Sequence, residues 1–217
     1  MQFEAVCFDL DGTLLDSLAD LANCTNKILL KRGFPEHPQQ AYRYFVGDGV
    51  KMLMTRVLPK EVRNEILIEE CRQDFEKNYR DCLDEQTVPY ENVPELLDEL
   101  SRRKFKLTVL SNKPHEFTLI AVNKLLPNWD FKMILGQRDG VPRKPDPEGM
   151  LEICEKLKIP SSSFIYLGDT ATDMQTSSAA GCFSVGVLWG FRNEEELRDN
   201  GAKAIVKDPL DVLDLLG

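Results

Sequence analysis

Residues 6–17, Val-Cys-Phe-Asp-Leu-Asp-Gly-Thr-Leu-Leu-Asp-Ser, set an apolar run directly before two carboxylates spaced i, i+2 and then a glycine. The spacing predicts a buried strand entering a tight loop, with Asp9 and Asp11 converging at the strand's carboxyl end because alternate side chains share one side. Gly12 lets the backbone turn away without a Cβ penalty. Two carboxylates held that close do not both stay charged without a cation, a shared proton, or both. An ionised Asp9 beside a divalent ion can attack an electrophile as a covalent nucleophile, and a protonated Asp11 can serve as general acid. Keeping an Asp protonated near neutrality means raising it about three units from its reference of ~3.9, or roughly 4 kcal/mol of environmental bias. Taken alone, the same residues also make a plain turn, with Thr13 or Ser17 capping the next helix.

After this strand, Leu18, Leu21, Ala22, Thr25, Ile28 and Leu29 recur at helical spacing, with Ser17 as N-cap and Asp20 three residues on, and Gly33 ends the helix. Helical pattern resumes over 39–45, breaks at Gly47-Asp48-Gly49, and continues over 50–58. A longer helix is expected from Lys60 to about Leu83, with Val62, Ile66, Phe75, Tyr79 and Cys82 as its apolar stripe. No strand pattern occurs between Asp16 and Glu85. From Val88 the chain alternates strand and helix: strands over 106–110, 131–135, 164–167 and 184–187, with helices over 114–126 and 148–157 and another running to Ala180. Weaker elements lie near 204–206 and 210–216. This pattern predicts an α/β fold, a Rossmann-like parallel sheet with helices on both faces, whose ligands gather beyond the strands' carboxyl ends. Residues 1–15 with 88–217 are the expected core, and 16–87 an inserted all-helical cap domain.

Three further polar stretches follow predicted strands or enter predicted helices. Ser111-Asn112 ends a strand, where a hydroxyl and adjacent N–H groups suit a phosphate oxygen and equally a turn. Pro142-Arg143-Lys144-Pro145-Asp146-Pro147 is a stiff basic loop; a fixed cation in such a place can offset charge on a transferring phosphoryl group. Gly168-Asp169-Thr170-Ala171-Thr172-Asp173 sets two more carboxylates at a strand end, where Asp173 can also cap a helix.

Other chemistries are disfavoured. No Cys is followed six positions later by Arg, and no Gly is followed directly by Lys, so a cysteine-phosphatase loop and a P-loop are both missing. His37 and His115 lie far apart without a partner motif. The six cysteines, Cys7, Cys24, Cys71, Cys82, Cys154 and Cys182, show no C-x-x-C pairing, which argues against zinc or a disulfide framework. A formal charge of −9 argues against general nucleic-acid binding. No apolar stretch approaches the ~20 residues of a membrane span, and no secretory signal is apparent, so a cytoplasmic location is the expectation.

Hydrophobic strand, Asp9-Leu10-Asp11-Gly12-Thr13, Ser111, Lys144 in its Pro-rich loop, and Gly168-Asp169-x-x-x-Asp173 together resemble, in order, the four motifs of the haloacid dehalogenase-like hydrolase superfamily, most of whose members are magnesium-dependent phosphatases. The resemblance implies Asp9 as nucleophile, Asp11 as acid and base, Ser111 and Lys144 as phosphoryl holders with Asn112 beside them, and Mg2+ on Asp9, Asp169 and the backbone carbonyl of Asp11. Asp173 would bind a water of the metal or hold Lys144. The role falls to Lys144 over Arg143 or Lys113 by resemblance. Residues 45–54 look like the cap loop of the phosphoglycolate phosphatase-like branch, which implies substrate contacts from Arg43, Asp48 and Lys51; solvated residues around a helix break are the plainer reading of these three. The implied partner is a small phosphorylated metabolite, phosphoglycolate first, with monomer or homodimer left open. A phosphomutase of the β-phosphoglucomutase type would use the same four motifs, and a phospho-accepting regulatory protein would use the same aspartate pocket.

Overall fold

The computed structural model describes residues 3–216. The chain divides into two compact units, Met1–Asp16 with Pro89–Gly217, and Ser17–Val88. In the first, β1 (Ala5–Phe8) is buried at every residue, as a strand covered on both faces must be. Two two-residue strands follow in sequence, β2 (Leu15–Asp16) and β3 (Val88–Pro89), where the chain leaves and re-enters this unit. The main sheet continues with β4 (Lys106–Pro114), β5 (Phe131–Gln137), β6 (Phe164–Gly168), β7 (Phe183–Val187) and β8 (Ala204–Val206). Among the described residues it has six strands in the order β5-β4-β1-β6-β7-β8. All its pairings are parallel. Phe8 stands opposite Val109 on one side and Leu167 on the other. The register therefore brings the residues just past β1, β4 and β6 to one edge.

Parallel strands need crossovers, and helices supply them. On one face Cys7, Leu110 and Tyr166 pack with Met150 and Ile153 of α7 (Glu148–Leu157) and Ala180 of α8 (Ala171–Ala180). Preceding β4, α5 (Val93–Arg102) has Pro94 in its first turn, a position that needs no N–H, and buries Val93, Leu96, Leu97 and Leu100 at helical spacing. Truncating Leu97 to Ala would cost about 2–5 kcal/mol, the range for a fully buried leucine. α6 (His115–Leu125) links β4 to β5, and α9 (Glu194–Asp199) lies between β7 and β8.

The second unit holds α1 (Leu18–Lys31), α2 (Tyr42–Phe45), α3 (Val50–Val57) and α4 (Glu65–Cys82). Its interior includes Leu29, Tyr42, Met54, Phe75 and Tyr79, with the Phe75 and Tyr79 rings stacked at 4.8 Å. Arg32, just past α1, pairs with Glu70 and Asp74 of α4 at 2.9 and 2.6 Å. The first turn of α1 is tied to the unit's last residues through Asp20. Its carboxylate accepts from Gln86 N, Thr87 N and Thr87 Oγ1 at 3.0, 2.8 and 2.6 Å.

Three local expectations are corrected. The long helix begins at Glu65, where Asn64 Oδ1 caps Leu67 N at 2.9 Å, and not at Lys60. Val62 precedes it, and Ile66 lies on its outer face; both are exposed, so the apolar stripe starts at Ile68. Ser17 and Asp20 form no capping box, because Asp20 is spent on Gln86 and Thr87 and the Ser17 hydroxyl is buried without a hydrogen-bond partner. The helix Glu194–Asp199 had no expectation, since one buried leucine, Leu197, gives no periodicity to detect.

Candidate active site

β1, β4 and β6 end side by side, and the Asp9 N–H donates to Leu167 O at 2.9 Å, which carries the sheet pairing one residue beyond β1. Asp9, Asp169 and Asp173 are buried, and one ligand atom from each lies within 4.8 Å of the others. Into this group comes Lys144, also buried, from the loop before α7. Its Nζ donates to Asp9 Oδ1 at 2.8 Å, Asp173 Oδ1 at 2.6 Å and Leu110 O at 3.0 Å, with Tyr166 Oη at 3.4 Å.

Asp173 has both oxygens engaged. Oδ1 takes Lys144, and Oδ2 accepts from Thr170 N and Thr170 Oγ1 at 3.1 and 2.6 Å, closing a reciprocal capping box at the start of α8. Asp169 accepts from Phe191 N at 2.7 Å through Oδ2. Gly12, at φ +92°, and Gly168 permit this crowding: a Cβ on Gly12 would lie 2.3 Å from Asp169 Oδ2, and one on Gly168 2.2 Å from the Asp173 Cβ.

The electrostatics follow from burial. Desolvation, then the nearby Asp173, pushes the Asp9 carboxyl up to about 7, with the Lys144 ammonium pulling the other way. Burial and the charges of Asp9 and Asp173 hold Asp169 well above the ordinary carboxylate range. Burial works against the Lys144 charge, but Asp173 and Asp9 more than offset it, and the ammonium is held above its usual value. Three carboxyl groups thus crowd one ammonium, with Arg192 as a further cation acting on Asp169, in an oxygen-rich pocket. That donor set suits a hard divalent cation such as magnesium, which prefers oxygen ligands.

Asp11, half-buried, faces Lys113, whose Nζ lies 2.9 and 3.0 Å from its two oxygens. Ser111 and Asn112 lie in the last part of β4 and are buried; Ser111 Oγ accepts from Lys113 N at 3.2 Å, and Asn112 Nδ2 donates to Lys144 O at 3.1 Å. The core residues singled out from sequence, Asp9, Asp11, Ser111, Asn112, Lys144, Asp169 and Asp173, therefore belong to one unit and, through these contacts, cluster at its strand ends. Arg43, Asp48 and Lys51 belong to the helical unit. Arg43 is half-buried in α2, Asp48 is paired with Arg56, and the exposed Lys51 is paired with Glu65 at 2.7 Å.

Sequence reading missed three contributors. Lys113 is passed over because the family resemblance gives the cation role to Lys144. Tyr166 is signalled only by a hydroxyl inside an apolar strand, two residues before Gly168. Trp189–Phe191 follows β7, another strand end, without any charged residue to mark it. The histidines are structural: His37 Nε2 bonds Val57 O at 2.8 Å, and His115 Nδ1 accepts from Gly136 N at 3.1 Å.

Residues 6–187, from the first strand through β7, match the haloacid dehalogenase-like hydrolase family. The chain belongs to that family. Among its curated relatives, the phosphoglycolate phosphatase of Nitrosospira multiformis is 32% identical over 212 residues, covering 95% of this chain and 92% of the relative. That of Pectobacterium atrosepticum is 28% identical over 218 residues, covering 98% and 92%. Among solved structures, a predicted phosphoglycolate phosphatase from Haemophilus somnus matches 100% of this chain and 99% of its own at 26% identity, with a TM-score of 0.91. In this haloacid dehalogenase-like hydrolase no helix among the described residues is long and apolar enough to cross a membrane.

Proposed function

We propose that this chain is a magnesium-dependent phosphomonoester hydrolase acting on a small phosphorylated metabolite, with phosphoglycolate as the first substrate to test. The observation that carries the reading is the buried group of Asp9, Asp169 and Asp173, with Lys144 bonded to Asp9 and Asp173, an acidic pocket with a fixed cation. Its relatives' names supply the substrate.

Asp9 and Asp169, with the backbone carbonyl of Asp11, would hold Mg2+. When bound, the ion supplies the positive charge that keeps Asp9 ionised at neutral pH and offsets charge on the phosphoryl oxygens. Asp173, with one oxygen on Lys144 and the other in its capping box, fits the role of holding Lys144 better than that of a direct ligand.

An Asp9 oxygen attacks phosphorus and forms an aspartyl-phosphate as the ester P–O bond breaks. Asp11 gives its proton to the departing alkoxide oxygen, then takes one from the water that attacks the acyl phosphate, which returns Asp9 and releases inorganic phosphate. Ser111 Oγ and Lys144 Nζ hold the equatorial oxygens through both steps. Arg43, Asp48 and Lys51 remain proposed substrate contacts; the Asp48–Arg56 and Lys51–Glu65 pairs would then have to open or be shared.

The test is phosphate release from phosphoglycolate, sugar phosphates and nucleoside monophosphates, with magnesium and then with chelator. Metal-dependent turnover of one preferred ester, abolished in Asp9→Asn, is the expected result. Interconversion of sugar phosphate isomers without phosphate release would replace hydrolysis by mutase chemistry. Full activity of Asp9→Asn would overturn the mechanism.

A further inference from the structure

Three backbone and side-chain contacts converge from the segment that follows β7. Trp189 Nε1 donates to Thr13 O at 2.9 Å, in the loop that carries Asp11. Two residues on, Phe191 N donates to Asp169 Oδ2 at 2.7 Å. Between them Gly190 is buried, and a Cβ there would lie 2.3 Å from the Asp169 Cβ and 2.3 Å from Gly12 O. From the other side, a Cβ on Gly12 would come within 2.8 Å of a Phe191 ring carbon. The backbone of 189–191 therefore rests directly on both the 11–13 loop and the Asp169 carboxylate.

We propose that Trp189–Gly190–Phe191 is a clamp that fixes Asp169 and the 11–13 loop in their metal-holding arrangement, with Trp189 as a positioning residue. The inference rests on the reading that Asp9 and Asp169 hold magnesium. Asp169 needs such a fixture because a carboxylate oxygen of Asp9 and one of Asp173 lie within 4.8 Å of its own, and like charges that close push an unrestrained carboxylate aside. The Phe191 N–H is the charge-assisted bond that prevents this. Trp189 keeps the donor in place by anchoring its own end of the segment to the opposite wall. Contacts that orient ligands in this way carry about 10- to 100-fold of a site's metal affinity.

The test is isothermal titration of Mg2+ into the wild-type chain and three variants, each checked for native circular dichroism. Trp189→Phe keeps an aromatic side chain but removes the N–H donor with the five-membered part of the indole; Gly190→Ala pushes the segment off Asp169. Both should bind magnesium about tenfold more weakly, or worse. Val185→Ala opens a cavity in β7 without touching the clamp, and should bind within about twofold of wild type, whatever it does to the melting temperature. Wild-type affinity in Trp189→Phe, or an equal loss in Val185→Ala, would overturn the clamp while leaving the metal site standing. No heat or affinity for magnesium in the wild-type chain would remove the metal reading and the clamp together.

Discussion

Lys113 closes on Asp11 with its ammonium 2.9 Å from one carboxylate oxygen and 3.0 Å from the other. Both side chains are largely withdrawn from solvent, 5% and 17% exposed, so screening is weak. The ion pair holds the Asp11 carboxylate in one orientation, and Asp11 has to let go of Lys113 to carry the proton that the proposed mechanism asks of it. Lys113→Met is expected to lower kcat on the order of tenfold, a fraction of the ~100-fold or more that general acid–base catalysis contributes, with KM little changed. Steady-state kinetics that showed a KM rise with unchanged kcat would reassign Lys113 to substrate binding.

Lys144 is the cation among three buried carboxylates. Replacing it with Met leaves Asp9 and Asp173 without their shared partner, which typically costs about 3–5 kcal/mol. Thermal melts of Lys144→Met should show a large drop, partly restored by magnesium, and phosphatase assays should show no turnover. Arg should not rescue it, since a planar fork does not fit a site that directs one compact ammonium at Asp9, Asp173 and Leu110 O.

The Asp9 carboxyl, at about 7 in the folded chain against ~3.9 free, makes stability depend on pH. Between these values the folded state binds more protons than the unfolded one. The contribution is therefore complete below about pH 4 and drains away as pH rises through 7, at up to about 1.4 kcal/mol per pH unit for one proton. In chelator, the protein should melt higher at pH 6 than at pH 8. Saturating magnesium should shrink or reverse the difference, because it competes with protons for the same oxygens. Scanning fluorimetry decides it: equal melting temperatures in chelator would contradict the assignment.

Asp20 accepts from two backbone N–H groups and a hydroxyl at the end of the helical unit. Asp20→Ala leaves these donors, of which Thr87 is buried, without an acceptor, and should destabilise the chain by roughly 2–4 kcal/mol. Denaturant titration measures this, and Asp20→Asn should fall between the two, since one oxygen remains.

How much of this was legible in the sequence depends on how each residue announces itself. The apolar stretches of β1, β4 and β6 run straight into Asp9, Ser111 and Gly168-Asp169, and the switch from apolar to polar marks both the strand and its functional edge. Asp9 and Asp169 stand out for that reason, whereas Ser111, equally a turn former by its residues, needed family resemblance. Lys144 needed family resemblance, because a basic loop looks the same whether its lysine is buried or solvated. Lys113 was passed over for the same reason. Trp189–Phe191 works largely through backbone groups, which sequence composition does not display. Val62 and Ile66 show the opposite failure: apolar identity at suggestive spacing predicted burial, but an exposed loop and an outward helix face tolerate isolated apolar side chains.

Because Asp20 binds Gln86 and Thr87, the excursion from Ser17 to Val88 starts and finishes at one knot. To the sheet-bearing part of the chain such a segment is a loop already closed, and lengthening a closed loop carries only a slowly growing entropic penalty. The helices beyond the knot can therefore be exchanged, extended or trimmed by evolution without renegotiating the strands.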